Sequence, residues 1–127
     1  MINGIKALLI ATGEFATVQL AQEHEPIDLP GTETPAVVLY YEKNRYSASN
    51  TDLLVYQAVE KRLICQLICH ADQVDAKEHA LVQAVIGYTH NAQHYPLEAV
   101  ESDTHKIDGE YYSRWIVLRT QTHIRQL

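Results

Sequence analysis

The chain predicts an α/β fold of the α+β kind, in which a mainly antiparallel sheet of four to five strands packs against two helices. Three observations lead there. Two strand-like runs near the C-terminus meet at Asp108-Gly109, a strong hairpin signal because glycine tolerates the positive φ that a tight turn requires. Residues 55–70 alternate apolar with polar side chains over most of their length. Residues 2–9 and 75–88 repeat at helical spacing instead.

At 127 residues the chain fits one domain, 1–127, large enough for a core of its own. Hydrophobic residues make up 46% and charged ones 20%, a globular balance that argues against disorder. The net charge of −6, with Lys and Arg scattered, gives no footprint of a nucleic-acid binder and no polybasic membrane segment. Residues 7–11, the longest apolar stretch near the N-terminus, are too short for a membrane span or an ordinary signal-peptide core. Synthesis in the cytosol is therefore expected.

In chain order, Ile2, Ile5, Leu8 and Leu9 mark a short opening helix, with Asn3 placed to cap it and Gly13 to end it. Ala16, Val18 and Leu20 alternate with Thr17 and Gln19, as in a strand with one wet face. Residues 22–35 hold Pro26, Pro30, Gly31 and Pro35 among polar residues and read as a loop. Residues 36–41, Ala-Val-Val-Leu-Tyr-Tyr, form a continuous apolar run that suits a central strand covered on both faces. Residues 42–52 follow neither period and read as an exposed loop, the kind of segment that often carries function.

In residues 55–70, Val59, Leu63, Cys65, Leu67 and Cys69 fall on one face and Glu60, Arg62, Gln66 and His70 on the other. Lys61 interrupts the first set, and Ile64 and Ile68 make the second partly apolar. A long strand fits better than a helix, although residues 53–67 also hold some helical spacing. Asp75 with Glu78 resembles a capping box, Ala80, Leu81, Ala84, Val85 and Tyr88 form an apolar stripe, and Gly87 stands at the end of that second helix. Residues 97–107 read as a weaker strand with Leu97, Ala99 and Val100 inward. In the last strand Ile116, Leu118, Thr120, Thr122 and Ile124 form the core face, opposite Trp115, Val117, Arg119, Gln121 and His123. Leu63, Leu67, Leu81, Val85, Ile116 and Leu118 are accordingly expected to share one core.

Chemistry is sparse. Cys65 and Cys69 would lie roughly 13 Å apart along a strand, beyond disulfide reach, and read as small buried apolar groups. His90 and His94 would share a helical face and offer a metal two imidazoles, but the segment lies between Gly87 and Pro96 and reads as a loop. Glu23-His24-Glu25 is an isolated acidic-histidine triplet with no third partner in view. Tyr40 and Tyr41, or Tyr111, Tyr112 and Trp115, would serve a small-molecule pocket, yet aromatics at strand positions more often belong to a core or an interface. No phosphate-cradling glycine loop or serine nucleophile motif occurs. No enzyme activity, catalytic residue, metal or cofactor is expected.

The order of elements and several local residues resemble the tail-terminator, or tail-completion, proteins of long-tailed bacteriophages. The resemblance spans nearly the whole chain. It is carried by the N-terminal helix, the Pro-bounded loop into Pro35-Ala36-Val37-Val38-Leu39, and the polar stretch before the long strand. It continues through Ala84-Val85-Ile86-Gly87-Tyr88, Pro96-Leu97, the Asp108-Gly109 turn, the aromatic cluster from Tyr112 to Trp115 and Thr122-His123-Ile124-Arg125. The resemblance implies a structural virion protein, assembled in the host cytoplasm, that closes the head-proximal end of the tail tube as a hexameric ring. Its implied partners are copies of itself, the tail-tube protein below and a head-completion or connector protein above, with no nucleic acid and no membrane. Within the loop at 42–52, Lys43, Arg45 and Tyr46 are the candidate assembly interface, since Arg and Tyr anchor interfaces and the surrounding Asn and Ser adapt. A small α/β ligand-binding module or a metal-dependent enzyme subunit is the alternative.

Overall fold

The computed structural model describes residues 1–21, 33–47, 56–89 and 94–125. Its elements run α1 (Ile2–Thr12), β1 (Thr17–Leu20), β2 (Ala36–Tyr46), β3 (Tyr56–His70), α2 (Val74–Val85), β4 (Glu98–Asp108) and β5 (Tyr111–Arg125). The order is the one the sequence predicts. One sheet of five strands, arranged β1-β2-β3-β5-β4, pairs antiparallel throughout except for β1, which runs parallel to β2.

Register decides which face each side chain takes. Leu39 stands opposite Cys65 and Cys65 opposite Ile116, while Leu63 faces Leu118 and Val37 faces Leu67. These residues meet Ile2, Ile5 and Leu9 of α1 and Val74, Leu81 and Val85 of α2 in one core, so both helices lie on the same face of the sheet. All six residues expected to share a core belong to it. Fully burying a Leu or Ile side chain contributes about 1.5–3 kcal/mol, which makes this layer the main source of stability. Cys65 and Cys69 sit in it as free thiols, and burial pushes them up to about 12 and about 11, far from reactive thiolates.

Local signals succeed at some chain reversals and fail at others. Gly13 caps α1 in the left-handed conformation, and Gly109 opens the β4–β5 turn at φ 53°. The N-caps differ from expectation. Met1 rather than Asn3 precedes α1, and Gln73 rather than Asp75 precedes α2, in neither case with a side-chain capping bond. Arg114 on β5 takes Asp75 and Glu78 instead, its Nη1 lying 2.7 Å from Asp75 Oδ1 and 3.0 Å from Glu78 Oε2. A guanidinium only 14% exposed attracts two carboxylates more strongly than an N–H at the helix end does.

Two further expectations are corrected. Residues 42–46 are not loop but the end of β2, which slips register between Tyr41 and Asn44 and then pairs with Lys61, Glu60 and Val59. A bulge of this kind breaks the period of two, which is why the stretch follows neither periodicity in sequence. Ala99 and Val100 are exposed rather than inward, and only Leu97, just ahead of β4, is buried. β4 lies at the sheet edge beyond the strands the helices pack on. The expected loop at 22–35 falls largely, at 22–32, outside the described residues.

Candidate assembly surface

The face of the sheet away from the two described helices also carries buried side chains. Ala36, Val38 and Ile68 are buried there, completing the double coverage expected for the start of β2. Tyr40 and Trp115 hold their ring centroids 5.2 Å apart. The Tyr40 hydroxyl donates to Gln66 Oε1 at 2.9 Å and Gln66 Nε2 donates to Ser113 Oγ at 3.0 Å, tying β2, β3 and β5 together. Burial pushes the Tyr40 hydroxyl above its usual range, so it stays a donor. Tyr111 lies 4.4 Å from the His70 ring, and Tyr112 packs on the helix-side core. These aromatics serve packing and do not converge on one cavity.

Further along that face runs a row of charges. Arg45 on β2 stands opposite Glu60 on β3, and Arg62 stands opposite Arg119 on β5, which in turn faces Glu98 on β4. Arg62 Nε lies 2.6 Å from Glu60 Oε1, and Arg119 Nε lies 2.6 Å from Glu98 Oε1. The hydrogen bond from Arg62 holds the Glu60 carboxyl below the usual carboxylate range, with the charges of Arg119 and Arg45 adding to it. Glu98 and Arg119 are half exposed, so their pair contributes little to folding and leaves both charges within reach of another molecule.

Of the three residues expected at an interface, Arg45 and Tyr46 are exposed, and Lys43 lies within the slipped register of β2. Because strand neighbours point to opposite faces, Arg45 joins the charge row on the helix-free face. Tyr46, opposite Val59, points to the helix side. Placing them in a strand fixes that division, which a loop would not. Residues 48–52 lie outside the described residues.

At the other edge the chain approaches β4 through an extended segment. The Tyr95 N–H donates to the Gln121 carbonyl, the Thr120 hydroxyl donates to the Tyr95 carbonyl, and Leu97 exchanges backbone hydrogen bonds with Gly87 and Tyr88. Two grooves flank this segment. One, of about 150 Å³, is lined by Glu60, Glu98, Arg119 and Gln121 together with Tyr95 and Pro96. The other, of about 520 Å³, is lined by Ile86, Gly87 and Leu97 and shares Tyr95, Pro96, Glu98 and Gln121 with the first. Tyr95 and Ile86 are 56% and 55% exposed, large apolar groups left in water at the groove rim. The sequence does not single out Tyr95, Glu98 or Ile86 for an interface. An exposed aromatic before a proline is the available signal, and it does not tell which strand end lies level with it.

Among the described residues no group of three or more His, Cys, Asp or Glu is arranged to hold a metal. His90 and the triplet Glu23-His24-Glu25 lie outside the described residues, so the pairing of His90 with His94 is not placed. No described helix is long and apolar enough to cross a membrane.

No family model matches the chain, and no curated protein matches it. Among solved structures, its fold is similar to a chain described as "Virion of native gene transfer agent (GTA) particle". The TM-score is 0.54 at 14% sequence identity, over 94% of this chain and 84% of that one. The likeness is one of fold and extends over most of both chains.

Proposed function

We propose that this chain is a structural virion protein that closes the head-proximal end of a phage tail tube as a ring and presents the surface to which the head is joined. It acts by shape, without catalysis or cofactor. The observation that carries this is the uneven coverage of the sheet, with helices packing over β1, β2, β3 and β5 while every β4 residue whose burial is described is exposed. An edge strand with unpaired N–H and C=O groups is a ready surface for another chain. The likeness in fold to a chain of a gene transfer agent virion agrees with such a role. Copies of the chain itself, in a ring of six, the tail-tube protein on one side and a head-completion or connector protein on the other are the partners proposed. The virion is its location, reached by assembly in the host cytoplasm.

A capping ring must stop a polymer at one end. Adding the purified protein to polymerising tail-tube subunits should shorten the tubes and place a ring at one end of each, seen by negative-stain microscopy. Tubes of unchanged length with no end-bound density would overturn the proposal. A melting shift with a small ligand and no self-association would favour the ligand-binding alternative.

A further inference from the structure

The end of β2, which runs on past the described part of β1, and the segment leading into β4 stand at one level on opposite sides of the sheet. Arg45 on β2 shares a rung with Glu60 and, through it, with Gln121, and the Gln121 carbonyl receives the Tyr95 N–H at the opposite edge. Arg45 and Tyr46 therefore stand at one side of the molecule at the height where Tyr95 and Glu98 stand at the other. Their faces match as well. Arg45 and Glu98 both belong to the charge row on the helix-free face. Tyr46 points to the helix side, the side of Leu97, which with Ile86, Tyr95 and Glu98 lines the 520 Å³ groove at the rim between the two faces. β2 and β4 run in opposite directions, so a copy set beside another keeps the antiparallel order of strands. Since the Leu97 N–H and C=O are already bonded to Tyr88 and Gly87, side chains make the contact at this level.

We propose that this is the contact between copies: the end of β2 on one chain docks beside Tyr95 of the next, with Tyr46 entering the groove by Ile86 and Arg45 meeting Glu98. The occupant is a second copy because this chain itself supplies both complementary halves. A groove of that volume holds an aromatic ring, given that a cavity of about 150 Å³ accepts benzene. In a chain of net charge −6, an exposed arginine facing an exposed glutamate gives direction to an encounter that overall repulsion opposes. The contact joins two different patches, so successive copies add head to tail and close a ring when the rotation allows. A two-fold pairing of β4 edges centred on Asp103 would instead set Asp103 against itself and Glu98 near Asp108, acid on acid. The contact rests on the ring proposed above and names its residues.

Sedimentation velocity over a concentration series of the full chain tests it. Wild type should form a ring, and Arg45→Glu alone or Glu98→Arg alone should need at least tenfold more protein to assemble, with unchanged circular dichroism. Mixed in equal amounts, the two variants should recover the ring, because the carboxylate introduced on β2 of one then meets the guanidinium introduced on β4 of the other, around an alternating assembly. Tyr46→Ala should weaken assembly by a similar factor, and it stands as the check should either charge variant fail to fold. Rings formed by all three variants at wild-type concentration would overturn this contact and leave the ring itself standing. Wild type that stays monomeric at every concentration, alone and with tail tubes, would overturn both.

Discussion

The middle of β3 and the whole of β4 belong to one sheet, yet Leu63, Cys65, Leu67 and Cys69 are at most 1% exposed, whereas every β4 residue whose burial is described is exposed. The difference lies in what covers each strand. Among the described strands β3 is the central one, with neighbours on both sides and α2 packed across one face, while β4 pairs with β5 alone. Alternation in sequence marks a strand that has been given a core to face. Where a strand extends past the helices, alternation is not required and its exposed groups are left for another chain.

The largest effect should follow from emptying the covered region. Leu67→Ala removes a fully buried side chain between Val37 and the helices, and should destabilise the fold by about 2–5 kcal/mol, read from the urea midpoint. An unchanged midpoint would mean that the helix-covered face is not the core. The helix layer itself is sharpened by Gly4, where a β-carbon would overlap the Tyr88 hydroxyl and stand 2.8 Å from its Cζ. Gly→Ala inside a helix ordinarily stabilises, but Gly4→Ala should here destabilise by about 1–3 kcal/mol. In a Tyr88→Ala background the same change should become neutral or stabilising, and a double-mutant cycle with no coupling would remove this contact from the packing scheme.

A smaller, pH-dependent effect is expected on the helix-free face. Glu60 is held below its ordinary pKa by Arg62, with Arg119 and Arg45 also facing it. Its contribution is present above the unfolded carboxylate pKa, about 4.3, and is lost as pH falls through the lower folded value. Wild type should therefore exceed Glu60→Gln in melting temperature at neutral pH, with the gap closing in acid. A gap independent of pH would assign the loss to packing. The smallest effect belongs to β4, where Val100→Ser should change stability by no more than about 0.5 kcal/mol. A larger loss in the isolated chain would show β4 to be covered after all.

What can be read without a structure here is what adjacent residues decide. Gly13 and Gly109 end a helix and open a turn because their φ values suit glycine, and Ile116, Leu118, Thr120 and Thr122 share a buried face because a strand repeats every two residues. The order of elements and the six-residue core follow from the same local periods. Arg45 and Tyr46 are legible as interface types, but not as residues on opposite faces of a strand. Ile124 continues the parity of the core face yet is 52% exposed, and Leu97 is buried while Ala99 is not, because burial depends on how far the helices reach. The bulge in β2, the transfer of Asp75 and Glu78 from capping to Arg114, and the place Gly4 leaves for Tyr88 all depend on partners distant in sequence. Sequence thus determined the elements and their apolar faces, since dihedral preference and periodicity are properties of neighbouring residues. Tertiary structure alone decided which faces are covered and which ends stand level on opposite sides of the sheet, because coverage and register arise from contacts between segments far apart in the chain.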